Sequence, residues 1–125
     1  MIEPFIMITN NRKIADEFEK KYKVYYIEGT LIDVMLHARD FIHKGHRLLT
    51  HPLSGSVKPN ETPYKTILIS KIPGKTINIE SLSIIEDSIH TALKLIKDKP
   101  APKWSDKLLE DFSIIDFDLI YNAIN

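Results

Sequence analysis

The residues best suited to binding or acid–base chemistry lie in one segment, HPLSGSVKPNETPY, at positions 51–64. Its hydroxyl, amide and lysine groups can donate hydrogen bonds, which suits a phosphate or a carboxylate. A loop of this length without helical or strand periodicity is uncommon in a compact domain unless it is functional or disordered. Because three prolines restrict its backbone, we predict one ordered path, anchored by the apolar residues Leu53, Val57 and Tyr64.

The chemistry of the segment is not fixed by a motif. The phosphate-binding patterns GxxxxGK[ST] and GxGxxG are absent, and Ser54 and Ser56 lack the GxSxG context of a hydrolase nucleophile. His51 is a candidate acid–base residue, although a histidine beside a proline is often a hydrogen-bonded structural residue. His43, His46 and His51 would be the ligands of any three-histidine metal site, but nothing in their spacing fixes them together. We therefore expect no metal and no cofactor.

The elements that would position this segment follow from hydrophobic periodicity. Short apolar runs predict strands at about 5–9, 23–27, 47–50 and 65–70. A first helix is predicted at 11–21, and a second between a capping box at Thr30 and a left-handed Gly45. The third starts near Asn78 or Ser81 and ends before Pro100, and two short C-terminal helices follow, capped by Ser105 and Asp116. The second helix should bury the stripe Leu31, Val34, Met35, Ala38 and Ile42.

This order predicts a single α/β domain over residues 1–125, a sandwich with a short, mainly parallel sheet of four strands. The alternative is an antiparallel fourth strand, because the loop holds no crossover helix. A strand order of 2-1-3 would place a ligand at the carboxyl ends of strands 1 and 3. The predicted ligand-binding residues are therefore Thr9, Asn10, Asn11, Thr50, His51, Ser54, Gly55, Ser56, Lys58 and Asn60.

Composition excludes several classes of function. Lysine plus arginine and aspartate plus glutamate number 17 each, so the chain lacks the basic footprint of a nucleic-acid-binding protein. With no cysteine it has no disulfide, no thiolate nucleophile and no cysteine-ligated metal. No apolar run approaches the ~18 residues of a membrane-spanning helix, so we expect a cytoplasmic protein without a membrane partner. The oligomeric state stays open, and a homodimer is one option.

The segment RDFIHKGHRLLTHPLSGSVKPNETPYKTILIS at 39–70, with SLSIIEDSI at 81–89, resembles the GrdX family. These are small proteins encoded beside the glycine, sarcosine and betaine reductases of anaerobic bacteria. The resemblance covers the whole loop and extends to ITNN at 8–11. It implies a cytoplasmic protein of amino-acid-reducing anaerobes, but it implies no reaction and no catalytic residues. Because that pathway yields acetyl phosphate, a phosphorylated or carboxylated ligand is a natural expectation.

Two functional hypotheses follow. In the first, which we favour, the chain is an accessory or regulatory protein that binds a small anion or a protein partner through the loop 51–64. In the second, it is a small enzyme acting on a phosphorylated or carboxylated substrate, with His51 as acid–base residue and Ser54, Ser56 and Lys58 holding the anion. The first is favoured because Glu28 and Glu61, the nearest carboxylates in the sequence, have no spacing that sets them opposite His51.

Overall fold

Three strands and four helices form the described part of the chain, residues 2–53 and 58–125 of a computed structural model. In chain order they are β1 (Phe5–Thr9), α1 (Arg12–Phe18), β2 (Lys23–Tyr26), α2 (Leu31–His43), β3 (Thr66–Ser70), α3 (Ile79–Asp98) and α4 (Asp106–Ile124). The predicted α/β class is confirmed, with three strands in these residues instead of the four predicted. None of the described helices combines the length and the apolar character needed to cross a bilayer.

The sheet is mixed, with the order β2-β1-β3. β1 is central: Met7 lies opposite Val24 of the parallel strand β2 and opposite Leu68 of the antiparallel strand β3. The option that the last predicted strand runs antiparallel is thus confirmed. The expected neighbour of β1 was wrong, because β3 takes the place that we predicted for residues 47–50.

Residues 47–50 lie along the outer edge of β3 but form only one bridge, between Leu48 and Ile69. Side-chain hydroxyls replace part of the backbone ladder here. The Arg47 N–H donates to Oγ of Ser70 at 2.8 Å, and Thr50 Oγ1 accepts from the Leu68 N–H at 3.1 Å. The Leu48 N–H donates to a side chain of α3, Ser81 Oγ, at 3.0 Å. The segment therefore protects the edge of the sheet without being a strand.

Helices cover both faces of the sheet. α2 and α3 pack on the face that carries Ile6, Ile8, Ile67 and Ile69, whereas α1 and α4 contribute to the cluster around Phe5, Met7 and Leu68. The predicted inner stripe of α2 is confirmed, since all five of its residues are buried. Burial of each large apolar side chain stabilises the fold by about 1.5–3 kcal/mol relative to exposure.

The ends of α1 and α2 have the caps that the sequence predicts. Asn11 caps α1 by accepting from the Lys13 N–H at 3.1 Å. Thr30 and Asp33 form the predicted capping box, in which each side chain accepts from the other residue's N–H. At the other end of α2, Gly45 has φ of 105°, as predicted. The bonds Gly45 N–H to Ile42 and His46 N–H to Phe41 complete a Schellman motif.

The C-terminal segment differs from the prediction of two short helices. Residues 106–124 form one helix, α4, capped at its start by Ser105 as predicted. Asp116 is not a cap but a buried residue in the middle of this helix. The sequence from Asp106 to Ile124 contains neither glycine nor proline, so nothing interrupts the helix, and the Asp116 side chain is engaged by other elements instead.

Candidate functional site

Asn10, at the carboxyl end of β1, joins three segments of the chain. Its Nδ2 donates to the carbonyl oxygens of Gly29 at 3.0 Å and Pro63 at 2.9 Å, and its Oδ1 accepts from the Lys65 N–H at 2.9 Å. All three partner atoms belong to the protein itself, so both the nitrogen and the oxygen of the amide have partners within the chain. Asn10, predicted to bind a ligand, ties the end of the loop 51–64 to the sheet.

Thr9 begins a chain of hydrogen bonds that ends on a buried carboxylate. The Asn11 N–H donates to Thr9 Oγ1 at 3.0 Å, and the Thr9 and Thr66 hydroxyls lie 2.7 Å apart. Thr66 Oγ1 donates to Oδ2 of Asp116 at 2.8 Å, so its single proton is used and Thr9 must be the donor in the Thr9–Thr66 bond. This chain of hydrogen bonds therefore runs from the start of α1 through β1 and β3 to α4, and each donor points toward Asp116.

Asn11 reaches the same helix from a second direction. Its Nδ2 donates to the carbonyl oxygen of Ser113 at 2.9 Å and to Oδ2 of Asp116 at 3.1 Å. Its Oδ1 caps α1. As with Asn10, both the nitrogen and the oxygen of the amide have hydrogen-bond partners. These partners link the start of α1 to the middle of α4.

Burial perturbs the ionisable groups of this cluster. Desolvation raises the pKa of Asp116, although hydrogen bonds from Asn11 and Thr66 and the charge of Lys65 act against the increase. Desolvation also lowers the pKa of the buried Lys65 ammonium, opposed by the Asp116 charge. The pKa of Tyr64 is raised, first by burial and then by the neighbouring Tyr26 and Asp116. Perturbed groups of this kind occur both at functional sites and in structural networks.

The space beside this cluster is small. Tyr64, Lys65 and Asp116 line a cavity of about 20 Å³ together with apolar residues of α4. A cavity of that volume holds one water molecule at most. Because it cannot admit a metabolite and its hydrogen bonds connect four elements, we interpret the cluster as the structural joint that seats α4 on the sheet.

Thr50 and His51, at the start of the loop, differ in exposure. The Thr50 hydroxyl is held at the edge of the sheet by the Leu68 N–H. His51 is exposed, and its Nδ1 accepts from the Leu53 N–H at 3.1 Å. Its ring also lines an open groove of about 250 Å³ against α3, together with Leu53 and Asp87. Within the described residues, hydrogen bonds engage the side chains of Thr9, Asn10 and Asn11. The Thr50 oxygen accepts from the Leu68 N–H, and the exposed ring of His51 is engaged through Nδ1.

Ser54, Gly55, Ser56 and Val57 lie outside the described residues, so the predictions on them stay predictions. Beyond them, Lys58 is exposed, whereas Asn60 is buried. Asn60 Nδ2 donates to the carbonyl oxygen of Lys99 at 3.0 Å, which ties the loop to the end of α3. Its Oδ1 is buried without a hydrogen-bond partner in the described structure.

The three histidines considered as metal ligands differ in burial. His46 is buried with Nδ1 against the Ser70 carbonyl oxygen at 2.7 Å, while His43 and His51 are exposed. In the stretches 2–53 and 58–125 no three histidine or carboxylate side chains come together as a metal site.

Sequence reasoning missed the centre of the buried cluster, Asp116 with Thr66. One signal was present: Asp116 lies four residues after Phe112 and four before Ile120, on the apolar side of α4. A carboxylate at such a position must find donors when the helix docks. The identity of those donors depended on the pairing of β1 with β3, which local patterns did not reveal.

Comparison with known proteins gives one result. No curated protein and no solved structure matches the chain. The family model described as GrdX-like protein matches residues 6–125, nearly the whole chain, and the chain therefore belongs to the GrdX-like protein family.

Proposed function

We propose that this protein is a non-catalytic accessory or regulatory factor of cytoplasmic glycine, sarcosine or betaine reduction, and that it binds a small anion or a protein partner through the loop 51–64. Membership of the GrdX-like family supports the association with the reductase system. Fold and family alone do not define an activity, so the argument for binding depends on the loop itself.

The observation that carries the proposal is the hydrogen bond from the Leu53 N–H to Nδ1 of His51. A nitrogen that accepts a hydrogen bond is unprotonated, so in the neutral ring the proton is on Nε2. An exposed Nε2–H is a donor suited to an anion. The neutral ring then has no unengaged basic nitrogen for a general base, which favours binding over catalysis.

The two flanks of the loop support a preformed binding segment. Pro52 and Pro59 are buried, and Leu53 packs against the core cluster on the α2 and α3 side of the sheet. Farther on, Asn60 is bonded to the end of α3 and the Pro63 carbonyl oxygen to Asn10. A segment held at both ends loses less conformational entropy when it binds. His51 and Lys58, which are exposed on either side of residues 54–57, would contribute the donor and the positive charge.

The alternative is a small enzyme for a phosphorylated or carboxylated substrate, with His51 as acid–base residue. One observation favours it: the Asp87 side chain lines the same groove as His51. In this role His51→Gln would abolish turnover while leaving binding of the substrate largely intact. In the binding role the same variant would weaken binding itself.

The experiment is a thermal-shift screen of the full chain with acetyl phosphate, inorganic phosphate, glycine and nucleotides. A ligand present at about 100 times its Kd stabilises the folded state by about 2.7 kcal/mol, so true binders separate clearly from inert compounds. We expect the shift to disappear in the double variant Ser54→Ala/Lys58→Ala and to remain in Lys75→Ala, a change of another exposed lysine. If the double variant folds normally and keeps every binding signal, the loop is structural and the proposal fails.

A further inference from the structure

Helix α4 carries a second apolar stripe beside the face that it buries. Leu108, Phe112, Ile115 and Leu119 are spaced four, three and four residues apart, which is the 3.5-residue period of a coiled-coil seam. Three of them are more than two-fifths exposed: Leu108 at 44%, Ile115 at 43% and Leu119 at 43%. The stripe is therefore distinct from the docking face around Asp116 and Ile120, which are buried.

The stripe borders the end of the loop before β3. Phe112, Ile115 and Leu119 line the small cavity next to Asp116 together with Thr62 and Tyr64, so the loop end lies close against this side of the stripe. At the start of the helix the Trp104 ring packs edge-to-face on Phe112, with ring centroids 4.8 Å apart. Apolar residues at a/d spacing beside a wall are the arrangement that receives an amphipathic helix.

Charge identifies the kind of helix that fits. Residues 106–124 contain five acidic residues, Asp106, Glu110, Asp111, Asp116 and Asp118, and one basic residue, Lys107. Asp111 and Asp118 follow Leu108 and Ile115 by three residues, so they border the stripe on its outer side. Lys107 lies 3.8 Å from Asp111 and offsets only part of this charge.

A second copy of α4 would bring the same acidic border against itself, and like charges facing across a helical interface destabilise the pairing. A helix flanked by lysine or arginine would meet Asp111 and Asp118 with opposite charge. We propose that the 108–119 stripe of α4, bordered by residues 62–64, docks an amphipathic helix of a protein partner whose apolar seam is flanked by basic residues. The surface shares the end of the loop 51–64 but includes neither His51 nor Lys58, the residues to which the proposed function assigns binding.

The test uses two synthetic helices of about 21 residues, three heptads each, with leucine and isoleucine at the a and d positions. One peptide carries lysine at the flanking e and g positions and the other carries glutamate. Binding to the full chain is followed by the fluorescence of Trp104, the one tryptophan of the protein, whose ring contacts the stripe. We expect the lysine peptide to bind about tenfold more tightly than the glutamate peptide, and the difference to shrink as salt is added.

Variants locate the interaction. Ile115→Asn should abolish binding of the lysine peptide, whereas Ile79→Asn, a change of an isoleucine that is 73% exposed on α3, should leave binding unchanged. Because Ile115→Asn could affect folding, a second variant replaces two exposed residues, Asp111→Lys/Asp118→Lys. This variant should bind the glutamate peptide more tightly than the lysine peptide.

The proposal is overturned by any of three results. The two peptides bind equally or not at all, the charge-reversed variant keeps the original preference, or the chain alone forms dimers that Ile115→Asn dissociates. The last result, measured by sedimentation equilibrium without peptide, would identify a second copy of this chain as the occupant.

Discussion

The side chain of Asn11 donates a hydrogen bond of 3.1 Å to the carboxylate of Asp116. This bond crosses 105 positions of the sequence and joins the N-cap of α1 to the centre of α4. Thr66 of β3 donates to the same oxygen at 2.8 Å. One carboxylate therefore fixes where the C-terminal helix sits on the sheet, and it is the residue whose replacement is most informative.

Asp116→Ala should lower the free energy of unfolding by about 1–3 kcal/mol, because the buried Thr66 hydroxyl loses its acceptor and Asn11 loses one of two. Asp116→Asn is the matched variant, since its amide oxygen can accept both bonds, and it should cost clearly less. Urea unfolding at neutral pH measures both. Equal losses in the two variants would mean that the charge, not the hydrogen bonds, fixes α4.

The pH dependence of stability should carry the signature of Asp116. Because burial raises its pKa above the ordinary 3.8, the folded state holds this proton more strongly than the unfolded state. Stability from this group is present below pH 3.8 and is lost as the pH rises through the raised folded pKa. Relative to Asp116→Asn, the parent protein should therefore lose stability as the pH rises above 3.8 and then level off.

Urea unfolding of the parent and of Asp116→Asn at a series of pH values measures this difference. A range of about five units, from pH 3 to pH 8, spans both ordinary and raised carboxyl pKa values. A parent that instead gains stability over this window relative to the variant would show that donation from Thr66 and Asn11 outweighs desolvation. The pKa of Asp116 would then be depressed.

Thr50→Val should destabilise the protein by about 1–2 kcal/mol, because valine matches the shape of threonine but leaves the Leu68 N–H without its acceptor. Thr50→Ser retains the hydroxyl and should cost less. If Thr50 were a ligand residue and not a structural one, valine would leave the free energy of unfolding of the unliganded chain unchanged. Thermal unfolding without ligand decides between the two roles.

The parts of the fold that sequence reasoning predicted well are those determined by neighbouring residues. The buried stripe of α2, the capping box of Thr30 and Asp33 and the left-handed Gly45 each follow from residues within one or two turns. The run 47–50 was apolar enough for a strand, but the N–H groups of Arg47 and Leu48 had side-chain partners in Ser70 and Ser81 that lie more than 20 positions away.

The candidate site was harder to predict for the same reason. Asn10 and Asn11 follow a strand at the edge where ligands of α/β proteins bind, so their amides suggested a binding role. Whether those amides were free depended on Pro63, Ser113 and Asp116, which come close only once β3 pairs with β1 and α4 docks. Polar residues at a strand end thus predict a hydrogen-bonded junction at least as well as a ligand site.

Gly45 lies against Gly74, and this close backbone contact leaves no room for a side chain at position 45. The Gly74 N–H donates to the Gly45 carbonyl oxygen at 2.8 Å, so the backbones of the α2 end and the segment before α3 are adjacent. A Cβ at position 45 would overlap the Gly74 carbonyl oxygen, and φ of 105° is disfavoured for any residue with a Cβ. Gly45→Ala should therefore lower the free energy of unfolding by about 2 kcal/mol.

Gly74→Ala is the control on the other side of the same contact. Its Cβ would lie 3.5 Å from the Gly45 oxygen and 3.7 Å from that of Thr76, which are ordinary van der Waals separations. Its φ is not positive, so the free energy of unfolding should stay within about 0.5 kcal/mol of the parent value. Urea unfolding of both variants tests the pair. Equal stabilities would mean that the junction between α2 and residue 74 relaxes at little cost and does not require glycine at position 45.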